Sequence, residues 1–389
     1  MHILIICDPI VPPSYAPRVT ATYRYLIAEG HECVLEAGTI PTYSSKWQYI
    51  CHLLLDKLFR WSDRQFGKKL YRKYSSAKFD VILCSSYYYF PLWTARFLSN
   101  KWHIPYVVDL RDIAEQWGDT PYFTTTLPHL LGIEKCIAKL YETHNIRFRN
   151  RVLQHAKAVV SVSPWHCEWL RTQTDTPVHL IYNGYDEAEM HFEARPTPVF
   201  SIAYIGRIIK LSLRQPQLLL QAIGELHNAG TISPQQVQVN FYAEPHMESA
   251  VSRMATHYGA QDYLHWHTYV DRSQLNNIMS QSSILVALAC PPKHKQHGIL
   301  GTKVFEAIGT EKPLLLVPSD EDSLARLITE TGIGIAARNV DEIKQFIVEK
   351  YHEWKENGYT RQTIQNKDLF NRQYLAHGFE TLLHHSANL

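Results

Sequence analysis

Long apolar runs are missing from this 389-residue chain. The first, within MHILIICDPI, is too short to span a bilayer and passes into a proline turn, and the run from Ile284 to Cys290 is also far below spanning length. No basic leader precedes the first run, so it is expected to be a buried strand, and any membrane contact is expected to be peripheral. A cysteine framework is missing too. The seven cysteines (Cys7, Cys33, Cys51, Cys84, Cys136, Cys167 and Cys290) are scattered, odd in number and never spaced C-x-x-C, which argues against a disulfide framework and a zinc knuckle and suits a reducing compartment. An excess of one charge is lacking: 39 Lys and Arg face 37 Asp and Glu, which gives no reason to expect a nucleic-acid partner. No G-x-G-x-x-G follows either leading strand, which argues against a nucleotide-dependent oxidoreductase. The close histidine pairs (His265 and His267, His294 and His297, His384 and His385) never form H-E-x-x-H, so no metal is expected, and the last pair falls in an expected frayed tail.

What is present is an ordinary globular balance, 45% apolar and 20% charged, in a chain long enough for two domains. Short β-branched runs alternate with helical patterns: HILIIC, Ala21 to Gly30, ECVLEA, then FDVILCSS, a helix and PYVVDL. The unit starts again at FSIAYIG, followed by a helix over Gln215 to Gly230, VQVNFYA, a helix over Met247 to Tyr258, LHWHTY, SILVALA and PLLLV. Such alternation predicts parallel sheets covered by helices. The stretch from Glu187 to Val199 lacks periodicity and suits a linker. The expected architecture is α/β, two Rossmann-like parallel-sheet domains facing a cleft, over residues 1–190 and 198–370. A helical tail over 371–389 follows, and the helical pattern from Val340 to Leu383 is expected to brace the halves.

Ligands of such sheets bind beyond the carboxyl ends of the strands, so the loops there carry the candidates. After SIAYI come Gly206, Arg207, Lys210 and Arg214, with Pro216 at a helix start. A pyrophosphate there would meet backbone NH groups, a helix dipole and fixed cations, although a solvated basic loop has the same composition. A second glycine-rich segment, Gly298 to Gly309, places Gly301 and Thr302 at a helix start, with Thr302 as an expected N-cap. Glu306, one turn further on, could accept from ribose hydroxyls or simply face solvent. In the first half, PYVVD runs into Arg111 and Asp112, which puts Asp109, Arg111 and Asp112 near one strand end. An internal ion pair shaping the loop is the alternative to substrate contact. Pro12 to Pro17 follow the first strand and aim Tyr15 and Arg18.

In their order along the chain these residues resemble the retaining GT-B glycosyltransferases of family 4. The likeness rests on the G-R with a nearby Lys, the F-E-A with K-P beyond, PPSYAPRV, VVDLRD, and SVSPWHCEWL followed by IYNGYD. The resemblance implies transfer of a sugar from a nucleotide-diphosphate sugar to a glycan or lipid-linked acceptor, as in bacterial surface-polysaccharide synthesis, without cofactor or metal. Arg207, Lys210, Asp112 and Arg111 would be catalytic. Gly206, Arg207, Lys210, Arg214, Gly301, Thr302 and Glu306 would bind the donor, and Tyr15, Arg18 and Asp109 the acceptor. The chain departs from the family in three places. Gly298 stands where a second Glu is frequent, the Arg-to-Lys spacing is short enough that Arg214 competes with Lys210, and Arg111 stands where many members have His. A sugar-nucleotide epimerase and a non-catalytic binding protein on the same scaffold are the alternatives.

Residues 46–78 carry a local message. Nine basic residues (Lys46, Lys57, Arg60, Arg64, Lys68, Lys69, Arg72, Lys73 and Lys78) face two acidic ones, Asp56 and Asp63. Trp47, Ile50, Leu54, Leu58 and Trp61 recur at helical spacing. This pattern predicts an amphipathic helix, expected on an anionic membrane surface in a cytoplasmic protein peripheral to the inner face of the cell membrane; the alternative is an apolar face packed on the amino-terminal domain with solvated lysines.

Overall fold

The computed structural model describes residues 1–10, 17–118, 133–208, 210–268 and 270–387. Their contacts divide the chain into two units: residues 1–182 with 372–389, and residues 183–371. The expected linker therefore lies inside the second unit.

In the first unit the elements follow one another as β1 (His2–Cys7), α1 (Pro17–Ala28), β2 (Glu32–Ala37), α2 (Lys46–Phe59), α3 (Trp61–Lys73), β3 (Val81–Ser86), α4 (Leu92–Trp102), β4 (Tyr106–Leu110), α5 (Ile133–Leu153), β5 (Ala158–Ser161), α6 (Pro164–Arg171) and β6 (Val178–Leu180). The strands form one parallel sheet in the order β2-β1-β3-β4-β5-β6. Both faces of the central strands are covered, which is why β1, β3 and β4 are buried almost without a break and are mostly apolar, not alternating. Local chemistry sets the helix ends. Ser163 caps α6 by accepting from His166 N at 3.2 Å, with Pro164 at the first helical position. Asp63, buried on α3, accepts from Trp93 N (2.9 Å) and Thr94 N (3.0 Å) and so caps α4 from a distance. Between α2 and α3 the chain breaks at one residue, Arg60, in the left-handed region at φ 51°.

The second unit contains β7 (Phe200–Ile205), α7 (Gln217–Asn228), β8 (Val237–Tyr242), α8 (Glu248–His257), β9 (Leu264–His267), α9 (Arg272–Gln281), β10 (Ile284–Leu288), α10 (Thr302–Thr310), β11 (Leu314–Val317), α11 (Ser323–Thr331), β12 (Gly334–Ala336) and α12 (Val340–Asn357). Its parallel sheet runs β12-β11-β10-β7-β8-β9, so the chain builds outward from β7 on one side and then returns to build outward on the other. That is the Rossmann order. Helix α7 passes so close to α8 that a Cβ on Gly224 would lie 1.8 Å from Tyr258 O.

The terminal helical pattern divides differently from the expectation. It forms two helices, α12 and α13 (Arg372–Ala387), separated by residues 358–371. Helix α12 packs in the second unit, where Phe346 joins the core beside Phe200. Helix α13, expected as a separate tail, belongs to the first unit, because its Phe379 and Leu383 are buried with Ile3, Ile5 and Val107. His384 and His385 accordingly lie on a helix and not in a frayed end.

Candidate functional site

In the second unit the sheet order reverses between β7 and β10, so the loops over residues 206–216 and 289–301 flank the crevice where such sheets take ligands. Gly206 begins the first loop, and its N donates to Tyr242 O at 3.1 Å. Arg207 is two-thirds exposed, with its Nε 3.6 Å from Glu244 Oε1. The other Glu244 oxygen accepts from Ile208 N at 3.1 Å, which fixes the loop beneath the guanidinium. Lys210 is exposed, and its carbonyl accepts from Leu213 N and Arg214 N, each at 3.0 Å. Arg214 is half-buried, and its Nη1 donates to Leu288 O at the carboxyl end of β10, tying the two loops together.

The second loop ends at the amino end of α10. Gly301 holds the cap position in extended backbone, so Thr302, expected as the cap, is instead the first helical residue. A Cβ on Gly301 would meet nothing within 4 Å, so there is open space beside the cap of that helix end, whose first NH groups have no partner within the helix. Gly298 is left-handed at φ 69°, and its N donates to Asp322 Oδ2 at 2.6 Å. Glu306 does not face solvent. Its side chain is 2% exposed, 2.8 Å from Lys303 Nζ and 3.6 Å from Arg272 Nη1. Arg272 also pairs with Glu189, so Glu306 sits in a two-carboxylate, two-cation cluster.

In the first unit the sheet order places a switch point between β1 and β3. Asp8 follows β1 and accepts from Arg111 Nη2 at 2.6 Å and from Tyr87 N, which follows β3, at 2.7 Å. Burial outweighs both of these interactions and raises the Asp8 pKa above the usual carboxylate range. Asp112 is half-buried. Burial pushes its pKa up to about 6 against the opposing hydrogen bonds of Gln116 and Tyr87 and the charge of Arg111. Arg18 and Asp109, expected at the acceptor, are 5% and 2% exposed. They form an internal ion pair at 2.9 Å, completed by Ser85 Oγ on Asp109 and by Tyr182 O accepting from Arg18. The internal-pair alternative weighed for Arg111 thus has two versions here, Arg18 with Asp109 and Arg111 with Asp8. Tyr15 lies outside the described residues.

Among the described residues, one group has the spacing of a metal site: His31, Glu380 and His384, where α13 meets the start of β2. Glu380 is already occupied there by His31 Nε2 (2.9 Å), His377 Nδ1 (3.0 Å) and Tyr25 Oη (3.2 Å). Sequence reasoning passed over Asp8, Glu244, Glu189 and Arg272. Asp8 was the most accessible of these, since it stands directly after the first strand. The other three are linked to the site only by folding.

Comparison with known proteins accords with this geometry. Residues 18–189 match the family model described as Glycosyltransferase Family 4. That match lies almost wholly in the first unit, and the twin parallel sheets share the GT-B fold of the solved glycosyltransferases below. The chain is similar over nearly its whole length to sucrose-phosphate synthase of Thermosynechococcus elongatus, at 13% identity and TM-score 0.68, with 99% of each chain covered. It is also similar to HepE of Anabaena in complex with UDP-glucose (11% identity, TM-score 0.59, 100% and 99% covered). A third likeness is to the lipopolysaccharide outer core galactosyltransferase WaaB (11% identity, TM-score 0.58, 98% and 99% covered). At these identities the structures show a shared fold. No sequence among curated proteins matches the chain.

Proposed function

We propose that this protein is a glycosyltransferase that works with retention, moving a sugar from a uridine diphosphate donor to a glycan or lipid-linked acceptor at the inner face of a bacterial cell membrane. The observation that carries the reading is the switch point of the second unit. There Arg207, Lys210 and Arg214 share the loop after β7, and the open amino end of α10 closes the loop after β10. Breaking the bond from the anomeric carbon to the phosphate oxygen leaves a nucleotide diphosphate, and catalysis consists mainly of stabilising the charge that develops on it. Arg207 and the α10 amino end supply that stabilisation. Arg214 is the better second cation, because its anchor on Leu288 O holds it at the crevice while Lys210 points outward. A leaving-group oxygen takes the acceptor proton, so no enzyme nucleophile and no metal are required. The Glu306 cluster orients the ribose. Arg18 and Asp109 position the acceptor loops from beneath, and Arg111 and Asp112 stand at the acceptor end of β4. The uridine donor is supported by the UDP-glucose in the HepE complex, and the cell-surface role by the likeness to WaaB.

The membrane reading rests on α2. None of its residues is buried, and Trp47, Leu54 and Leu58 are 76%, 53% and 64% exposed. Lys46 of α2, Arg64, Lys68, Lys69, Arg72 and Lys73 of α3, and Lys78 beyond it are exposed, which gives this segment the cationic character that suits anionic lipid.

The test is turnover by metal-free protein supplied with UDP-, GDP- and dTDP-sugars, followed by nucleotide release. Arg207→Ala is expected to lower the rate on the order of a hundredfold. A near-normal rate removes Arg207 from the mechanism, and the absence of turnover with every donor favours a binding protein on this scaffold.

A further inference from the structure

A cavity of about 250 Å³ opens at the switch point of the first unit, lined by Asp8, Tyr87, Tyr88, Tyr89 and Phe90 on the strand side, with Tyr141 and Asn145 of α5. Its remaining wall is the joint between α2 and α3, contributed by Asp56, Arg60 and Asp63. The apolar helix proposed to meet the membrane therefore ends on this cavity. The volume lies below the roughly 300–1,000 Å³ of pockets that enclose drug-sized ligands, which leaves room for about one sugar ring.

Three observations define what would bind. First, unsatisfied polar atoms gather at this place. Arg60 Nε and Tyr89 Oη are buried without a hydrogen-bond partner among the described residues. Asn145 Nδ2 has none in hydrogen-bond geometry, with the Tyr141 phenol beside it. Buried polar atoms of native proteins are almost always paired, so such a gathering marks a place where a partner from outside belongs. All three are donors, and a ligand rich in oxygen matches them. Second, Arg60 is held in place. Its Nη2 donates to Asn145 Oδ1 at 2.8 Å and its guanidinium lies 3.8 Å from the centre of the Phe148 ring, which fixes a residue already in left-handed backbone. Third, the charge gives an anion no net attraction. Asp56 lines the cavity against the single guanidinium of Arg60, Asp8 is already paired with Arg111, and burial raises the pKa of Asp63 to about 7. Tyrosine rings supply flat apolar faces instead, with Tyr87 and Tyr88 edge to face at 4.7 Å between centres.

We propose that this cavity is the acceptor subsite and takes one uncharged sugar ring, the headgroup of a lipid-linked glycan whose chain lies along α2. The proposal deepens the glycosyltransferase reading and rests on it for the word acceptor. The binding itself is independent of that reading. It moves acceptor recognition from Arg18 and Asp109, which are occupied with each other, to Arg60, Tyr89 and Asn145.

The test is saturation-transfer NMR of the full chain with methyl hexosides of gluco, galacto, manno and N-acetylglucosamine type, and with methyl glucuronide as the anionic counterpart. Methyl glycosides carry no chain for α2 to hold. At least one neutral glycoside is expected to bind, and the glucuronide roughly tenfold more weakly or not at all. Tyr89→Phe removes only a hydroxyl that no other group among the described residues uses. It is expected to weaken binding about fivefold, with Tm and UDP binding unchanged. Lack of binding by every neutral glycoside, equal binding of the glucuronide, or an unaltered affinity in Tyr89→Phe overturns the proposal. Glycoside binding without turnover of any nucleotide sugar would leave the subsite standing and remove the transferase reading. Turnover without glycoside binding would do the reverse.

Discussion

Asp63 shows how one residue can serve a helix and a cavity at once. Its two oxygens cap α4 through Trp93 N and Thr94 N, yet burial wins over those hydrogen bonds and pushes its pKa up to about 7. The folded value lies above the ordinary 3.8, so the native protein binds more protons than the unfolded chain across the interval from about pH 4 to 7. The contribution of Asp63 to stability therefore falls as pH rises through that window and is level above it. Asp63→Asn keeps one acceptor and carries no charge. The difference in unfolding free energy between wild type and variant, from urea titrations at pH 5 and pH 8, should shift in favour of the variant at the higher pH. A difference that does not change with pH would mean that the carboxyl is ionised throughout. In the sequence Asp63 registered only as one of two acids in a basic stretch. Neither its burial nor its distant cap is a local property, and no spacing announces them. Glu306 was legible as a site candidate because it ends a helical turn in a glycine-rich segment, but its Arg272 and Glu189 neighbours come from α9 and the loop before β7.

At the scale of elements, alternation of apolar and helical patterns was enough to place the strands of both sheets named from the sequence, because buried parallel strands have no solvent-facing residues to interrupt them. Helix ends were legible to within a few residues where a proline or glycine marks them. The cap of α10 was displaced by one because a glycine in extended backbone serves as well as a threonine. What the pattern could not show is how tightly α7 meets α8. Gly224 sits mid-helix, where glycine is ordinarily unfavourable, and the reason is Tyr258 O at 1.8 Å from any added Cβ. A backbone carbonyl cannot step aside as a side-chain tip can. Gly224→Ala should cost about 1–3 kcal/mol, against a gain of about 1 kcal/mol for the same change in an exposed helix. The check is the urea midpoint, and a midpoint at or above the wild-type value would show that the two helices are free to separate.

Across the whole molecule, the charge balance near neutrality conceals a local asymmetry. The exposed side chains of residues 46–78 that carry charge are all cationic, and they flank an apolar helix with no buried residue. Binding to vesicles containing phosphatidylglycerol should be strong at low salt and weaken as salt rises, because the cations act within a Debye length of the surface. Leu54→Ser with Leu58→Ser should reduce it by roughly tenfold or more while Tm stays unchanged, since neither side chain is buried in the fold. Equal binding by the double variant would remove α2 from the membrane surface.

The position of α13 has a consequence for how the protein is made. Its Phe379 and Leu383 complete a core whose other members, Ile3 and Val107 among them, all precede the second unit in the sequence. On the ribosome those early residues emerge first and wait, with that apolar surface uncovered, until all of residues 183–371 have been translated. Domains made in one piece can fold as they leave the exit tunnel. This first unit cannot complete that core until α13 has been made, so its early strands carry uncovered apolar surface through the whole synthesis of the second unit.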